Sequence, residues 1–428
     1  MNALTDPITP PLSAQRASEI AQSLDLRALP ADFLNNPYPV YAALRAAEPF
    51  KRMPDGSYFL TRHADLVAVY RDAKVFSSDK QVEFGPKFNH APFNQPPYTS
   101  AGGHAPLFEH HTHSLVFNDA PRHTRVRRLI MGALTRRAIE AMEPGLVQWV
   151  DRLLDRLQER GGGDLIEDFA SAIPVEIIGN LLDVPHADRA PLRGWSLAIL
   201  GALEPTLTPE QEALGNRSVN EFLAYLRELV AQRRQHPGDP EHDVLTRLIQ
   251  GEKGDEVADK TAADALSEVE LLQNCVFLLN AGHETTTNLI GNALITLQEW
   301  PEQRQQLQND LKAAASEEDR ARILGLAVDE FLRFESSNQL GNRRALQATQ
   351  VNGVELPAGA LVTLCIGAAN RDPAVYDQPE TLNLRRVGNK HLAFGFGVHQ
   401  CAGLSLARLE GRIAIGRFLQ RFPDYQLT

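Results

Sequence analysis

Phe394-Gly-Phe-Gly-Val-His-Gln-Cys-Ala-Gly403 is the stretch that most constrains what this chain can be. Gly395 and Gly397 let the backbone turn where a side chain would collide. Cys401 follows at the entrance of the last predicted helix, Ala402 to Gln420. The unpaired N–H groups and partial positive charge of a helix N-terminus favour thiolate over thiol. Gly403 leaves room for something flat to lie against the helix start. A thiolate in a glycine turn beside a planar group points to an iron porphyrin, because a thiolate ligand pushes electron density onto haem iron and favours O–O cleavage. The bland alternative is a buried structural cysteine, and the order of all ten residues weighs against it.

Working outward, the longest apolar run is Ser267 to Trp300. It is apolar on all sides, which predicts a buried helix. Asn280, His283, Glu284 and three threonines interrupt it, which argues against a membrane span. Midway along it stands Ala281-Gly-His-Glu-Thr-Thr286. Gly282 costs helix stability unless something must approach closely. A hydroxyl beside a carboxylate in an apolar helix is expensive without a role; the alternative is a threonine bonding back to its own helix carbonyl. Glu330-Phe-Leu-Arg333 places a carboxylate and a guanidinium one turn apart, where they can pair. His123 and Arg127 share a helix face. Arg122, Arg125, Arg127, Arg128, Arg136 and Arg137 form a basic cluster, either a surface that steers an acidic partner or a solvated helix face. His110, His111 and His113 suggest a metal site only weakly, since no other ligands converge; a polar loop is the favoured reading.

The 428 residues are 43% hydrophobic and carry a formal charge of −11, which argues against a nucleic-acid binder. Cys275, Cys365 and Cys401 are odd in number and far apart, so neither a disulfide framework nor a zinc site follows, and a reducing cytoplasm is the natural compartment. Residues 1–30, broken by Pro7, Pro10 and Pro11, read as an irregular or mobile segment with neither signal peptide nor membrane anchor. Periodicity predicts helices over Tyr38 to Ala47, Leu66 to Tyr70, Thr124 to Leu157 with breaks, Asp164 to Leu182, Val219 to Arg234 and Glu317 to Arg333. Short strands are predicted over Ser57 to Thr61, Val351 to Leu356 and Leu361 to Cys365. Residues 78–116 lack a period and read as a long functional loop; Pro185 to Gly215 is a proline- and glycine-containing stretch between helices, and residues 370–400 read as mostly irregular. The sum is mainly α with a small β portion, in one domain over 1–428.

These motifs together resemble those of the cytochrome P-450 superfamily, and the likeness covers nearly the whole chain and is closest to soluble bacterial members. The resemblance implies a triangular α-helical prism around a buried haem b, with Cys401 as the iron ligand and O2 as co-substrate. Glu284 and Thr285 would be the acid–alcohol pair of oxygen activation, and Ala281 and Gly282 would line the groove for dioxygen. Phe394, Gly395 and Gly403 would cradle the cofactor. His123, Arg127, Arg343 and His399 would hold its propionates, with Arg344 competing with Arg343. Glu330 and Arg333 would pair with Arg386, placed by its spacing to Asn389 and His391, and serve folding. Phe84, Phe88, Phe93, Phe277, Asn338, Gln339 and Leu340 would face the substrate.

The implied activity is insertion of one oxygen atom of O2 into a C–H or C=C bond of a small organic molecule. Electrons would come from NAD(P)H through a ferredoxin reductase and a ferredoxin, with Arg128, Arg136 and Arg137 at the docking face, and the protein would be a monomer. A peroxide-driven peroxygenase and a non-catalytic haem sensor are the alternatives. The sequence departs from the family in three places. Phe334-Glu-Ser-Ser-Asn-Gln-Leu340 lacks the usual prolines. The loop over 80–113 is longer. Thr428 falls before the usual C-terminal hairpin, as expected of a trimmed chain, of one cut from a reductase fusion, or of a pocket closed differently.

Overall fold

The computed structural model describes residues 12–80, 99–100, 103–204, 207–239, 243–250 and 266–428. Two compact units emerge, each assembled from three stretches of chain: one from residues up to Ser77 with Asn338–Thr381 and Lys390–Val398, the other from Ser78–Ser337 with Leu382–Asn389 and His399–Thr428. The division falls inside the glycine–cysteine stretch, between Val398 and His399.

The first unit is built on a five-stranded sheet in the order Phe50–Arg52, Tyr58–Leu60, Leu361–Cys365, Leu340–Ala345, Phe76–Ser77. Only the pairing of Tyr58–Leu60 with Leu361–Cys365 is parallel. Leu60, Leu66, Val69, Phe76, Val362 and Leu364 form its core. The strand predicted over Val351 to Leu356 is instead a hairpin, Thr349–Val351 against Val354–Leu356. Its turn is Asn352-Gly353, both at positive φ, as the right-handed strand twist requires. The N-terminal segment also differs from expectation. Ser13 caps a helix, Ala14–Gln22, whose Ala17, Ile20 and Ala21 are buried. An amphipathic face with an N-cap overrides the surrounding prolines.

The second unit is helical. Its axis is the central helix Glu268–Glu299, opened by a capping box in which Ser267 and Glu270 bond each other's backbone N–H. Pro301 ends it and also begins the next helix, Pro301–Ala313, a position where a missing N–H costs nothing. The last helix, Leu404–Arg421, packs on the central helix and on Arg136–Arg160. Arg412, Arg417 and Arg421 bind Glu143, Asp151 and Asp155 across that second contact. Two helices stand where no clear period was read: Pro106–His113, in the stretch read as a long loop, and Leu192–Leu200, in the proline- and glycine-containing stretch. Both are too short for their period to stand out beside prolines and glycines, and both are fixed by burial against the central helix. Among the described residues, no helix is long and apolar enough to cross a membrane.

Candidate active site

Cys401 lies three residues before the last helix, with Gly403 as N-cap. A Cβ added to Gly403 would meet only the Cys401 sulfur, at 4.0 Å, so space beside the sulfur is open. The thiol does not behave as helix-end electrostatics alone predict. Burial pushes it up, while the Gly403 N–H and the charges of Arg127 and Arg408 pull it down less strongly. Desolvation of the thiolate outweighs the helix terminus, and a bound cation would supply the missing charge. Arg127, on helix Arg122–Ala133, is itself disfavoured by burial and favoured by Cys401. His123, one turn earlier, is buried, and its ring lies 4.0 Å from that of His399. His399 Nε2 is 3.9 Å from Asp119. Thus His123, Arg127, His399 and Cys401 gather in one unit, from segments nearly three hundred residues apart.

Phe394, Gly395 and Gly397 belong to the other unit. Gly395 and Gly397 have φ of 64° and 72°, and a Cβ on Gly397 would sit 2.5 Å from the carbonyl oxygen of Tyr70. Glycine is therefore required there for conformation and for approach. Phe394 packs against His391. Arg343 lies on strand Leu340–Ala345, where its guanidinium bonds the Asn342 carbonyl at 2.7 Å and stacks over Tyr70. The Nε of Arg344 is buried without a partner among the described residues.

The central helix is buried around most of its circumference, but not all. Phe277 and Asn288 are half-buried, and Ala281 and Thr285 are open. Their spacing of three and four residues makes one continuous stripe along a helix otherwise lined by Val276, Leu279, His283, Thr286, Leu289 and Ile290. Thr285 Oγ1 donates to the Ala281 carbonyl at 2.9 Å, the back-bond considered as the alternative to a role in chemistry. Glu284, at the edge of the stripe, has its carboxyl pushed up by burial and by Glu204, against a pull from Arg193. Gly282 has a packing reason: a Cβ there would sit 2.5 Å from Ile178 of helix Ala172–Leu181. An open stripe with Phe277 and Ala281 along it, an open space beside a cysteine sulfur, and histidine and arginine nearby fit a flat, negatively substituted metal cofactor.

Glu330 and Arg333 are both fully buried and joined by two bonds of 2.8 Å. Arg386 reaches Glu330 at 3.0 Å, Asn389 at 3.2 Å and the Asn383 N–H at 2.9 Å. Every carboxylate oxygen is engaged, as a buried charge requires.

Several expected residues have other employment. Gln339 donates to the Tyr38 hydroxyl, and Leu340 packs against the core around Ala17, Ile20 and Tyr41, so both serve packing of their own unit. Asn338 is exposed. Phe84, Phe88 and Phe93 lie outside the described residues. Arg122 and Arg125 bind Glu270 rather than facing outward. The histidine run is a buried helix, not a polar loop. His110 Nδ1 bonds Gln273 at 3.1 Å and its Nε2 faces Asn280 at 3.2 Å. His113 bonds the Glu109 carbonyl, and His111 packs on Phe117. Asn274 accepts from the Leu115 N–H. This latch was missed because Gln273, Asn274 and Asn280 look like interruptions in an apolar run; the i, i+7 spacing of Gln273 and Asn280, which puts both on one face, was the available signal.

Residues 199–423 match the family model described as Cytochrome P450. The chain is 32% identical to the biotin biosynthesis cytochrome P450 of Bacillus subtilis, with 93% of this chain and 92% of that protein covered. It is 35% identical to the vitamin D(3) 25-hydroxylase of Pseudonocardia autotrophica, covering 92% and 89%. Among solved structures it resembles P450BioI in complex with an acyl carrier protein ligated to hexadec-9Z-enoic acid, at a TM-score of 0.80 and 32% identity, covering 92% of this chain and 94% of that one. With the motifs and the fold in agreement, the chain belongs to the cytochrome P450 family of haem-dependent monooxygenases, which use O2 as co-substrate.

Proposed function

We propose that this P450 inserts one oxygen atom of O2 into a C–H or C=C bond of a small hydrophobic organic substrate. The electrons come from NAD(P)H through a ferredoxin reductase and a ferredoxin, and the protein works as a cytoplasmic monomer of one domain. The observation that carries this reading is the open stripe Phe277–Ala281–Thr285 on an otherwise buried helix, with an acid at its edge. Haem, when bound, supplies the redox chemistry that activates O2.

The chain supplies the rest. Cys401 would ligate the iron through Sγ. His123, Arg127 and His399 would bond the haem carboxylates, since charge-assisted bonds are the strong ones. The back-bond of Thr285 uses its hydroxyl proton, so its lone pairs remain to accept from a water in the open stripe. Glu284 holds its proton to higher pH than an ordinary carboxylate, because burial and Glu204 disfavour its charge, and that is the direction a proton donor needs. Ala281 keeps the stripe apolar and narrow. Phe277 would bound the substrate space. Arg128, Arg136 and Arg137 support docking of an acidic electron carrier, although Arg136 also pairs with Glu140.

The test compares two oxidant supplies on the purified haem protein. NADH with ferredoxin and its reductase should give substrate-dependent oxygen uptake and product. Product from hydrogen peroxide alone, with none from the electron chain, would assign a peroxygenase; no turnover with either would leave a haem sensor. Cys401→Ser should abolish the red-shifted Soret band of the thiolate-ligated carbon monoxide complex. An unchanged band would remove Cys401 from the iron.

A further inference from the structure

Helix Arg136–Arg160 has a second face that the last helix does not use. Glu143, Asp151 and Asp155 turn to Arg412, Arg417 and Arg421. Trp149, Arg152, Leu153, Arg156 and Arg160 recur at spacings of three and four along the other side. That side borders a pocket of about 410 Å³, shared with the turn Ile166–Ala170 and the start of helix Ala172–Leu181. The volume lies within the range of sites for small organic molecules, about 300–1,000 Å³. Trp149, Leu153 and Ala172 supply its apolar wall. The Trp149 ring is held in place, because its Nε1–H donates to the Ala172 carbonyl at 3.0 Å. The turn Ile166–Ala170 is a π turn, in which the Ala170 and Ser171 N–H groups reach back to the Leu165 and Ile166 carbonyls, each at 2.9 Å. Such turns are frequent at functional sites.

The charges around this pocket are unevenly spent. Asp168 is bound by Arg160 at 3.1 Å and by the Asp164 N–H at 2.8 Å. Glu167 is held at 2.6 Å by Arg193, on helix Leu192–Leu200, which Ser196 ties to His283 at 3.3 Å. The ring of His186 lies 6.4 Å from that of Trp149 and is drawn to Glu176 at 3.4 Å. Arg152 and Arg156 are exposed and have no ion pair among the described residues. Their guanidinium carbons stand 5.0 Å and 5.9 Å from the centre of the Trp149 ring. Of the acids lining the pocket, Glu159 alone lacks a cation among the described residues. Two guanidiniums against one carboxylate leave a surplus of one positive charge beside an aromatic wall.

We infer that this pocket is a second ligand site, for a planar organic monoanion such as an aromatic carboxylate, separate from the space beside Cys401. The ligand ring lies against Trp149, Leu153 and Ala172, and its carboxylate takes charge-assisted bonds from Arg156 and Arg152. A guanidinium lying over an indole keeps its N–H groups, which radiate in its own plane, free to bond an anion. A dianion would meet Glu159, and a cation would meet the surplus. None of the lining residues belongs to the open stripe or to the cysteine segment, so this ligand does not occupy the substrate space.

The test is equilibrium dialysis of the haem-loaded enzyme against cinnamate, with cinnamamide as its uncharged match. Cinnamate should bind saturably, and cinnamamide about tenfold more weakly, the worth of a hydrogen bond to a charged group. Arg152→Gln/Arg156→Gln should weaken cinnamate by a similar factor, and Arg156→Lys should lose less because it keeps the charge. Both arginines are exposed and unpaired among the described residues, so these variants leave the helix packing intact. Trp149→Leu should weaken both probes alike, since it removes the aromatic wall and not the charge. Glu159→Gln should tighten cinnamate about threefold and leave cinnamamide unchanged, because it removes a repelling charge. Cinnamate that binds at the haem instead would shift the Soret band and ignore both arginines. That outcome overturns the inference, as do equal affinity for the two probes and the absence of saturable binding.

Discussion

Glu330 and Glu284 are both carboxylates in helical interiors of the same unit, and they are treated in opposite ways. Glu330 is sealed from solvent and receives bonds from Arg333, Arg386, Asn389 and the Asn383 backbone. Glu284 sits half-buried at the edge of an open stripe, and Arg193, the cation whose charge acts on it, is bound to a different carboxylate, Glu167. A saturated charge is rigid and has no capacity left for a substrate or a moving proton. An under-served one keeps a proton within reach. The contrast separates residues that hold the fold from residues that can take part in chemistry.

Ranked by their cost to stability, four changes probe the contrast. Arg333→Leu removes the two bonds of a fully buried guanidinium to Glu330 and should cost about 3–5 kcal/mol, seen as a shifted midpoint in urea unfolding. A change within error there would mean that the cluster around Glu330 is not what holds this part of the unit. His110→Leu leaves Gln273 and Asn280 facing an apolar side chain and should cost about 1–3 kcal/mol by the same measurement. Next is acid. Burial would raise Glu270, but Arg125 and Ser267 bring it down to about 2. A depressed folded-state value means stabilisation that is present above the unfolded value and lost as pH falls. Hydrogen-exchange protection at the start of the central helix should therefore decline between about pH 4.5 and 2. Protection unchanged across that window would argue against the anchor formed by Arg122 and Arg125. The smallest stability change is expected for Glu284→Gln, within about 0.5 kcal/mol, as for a site outside any saturated network. Its product yield per NADH should nevertheless fall about 100-fold. Large destabilisation with intact coupling would reverse the assignment of the two carboxylates.

Much of the helical framework was legible because period and caps agree. Tyr38–Ala47 follows Asn36-Pro37 as predicted, and Glu317–Phe334 matches the predicted run within one residue. The central helix carries a capping box readable as Ser267-x-x-Glu270. Short elements were not legible. Pro106–His113 and Leu192–Leu200 carry little period of their own and are stabilised by what they pack against. The candidate site divides the same way. Cys401, Glu284 and Thr285 announce themselves by unusual chemistry in an unusual local setting. Arg193, Ser196, Glu167 and His110 have ordinary neighbours in sequence.

The sequence by itself determined that a cysteine follows a glycine turn at a helix start, that an acid and an alcohol interrupt a buried helix, and that Glu330 and Arg333 share a turn. Each depends only on residues within a few positions of one another. The tertiary structure decided which charges are quenched and which are left available. It turned Arg122 and Arg125 inward to Glu270, gave Gln339 to Tyr38, bound Arg193 to Glu167, and raised the Cys401 thiol that helix-end electrostatics alone would have lowered. Desolvation and ion pairing depend on what the fold brings alongside, from segments tens to hundreds of residues away, and no local pattern encodes that distance.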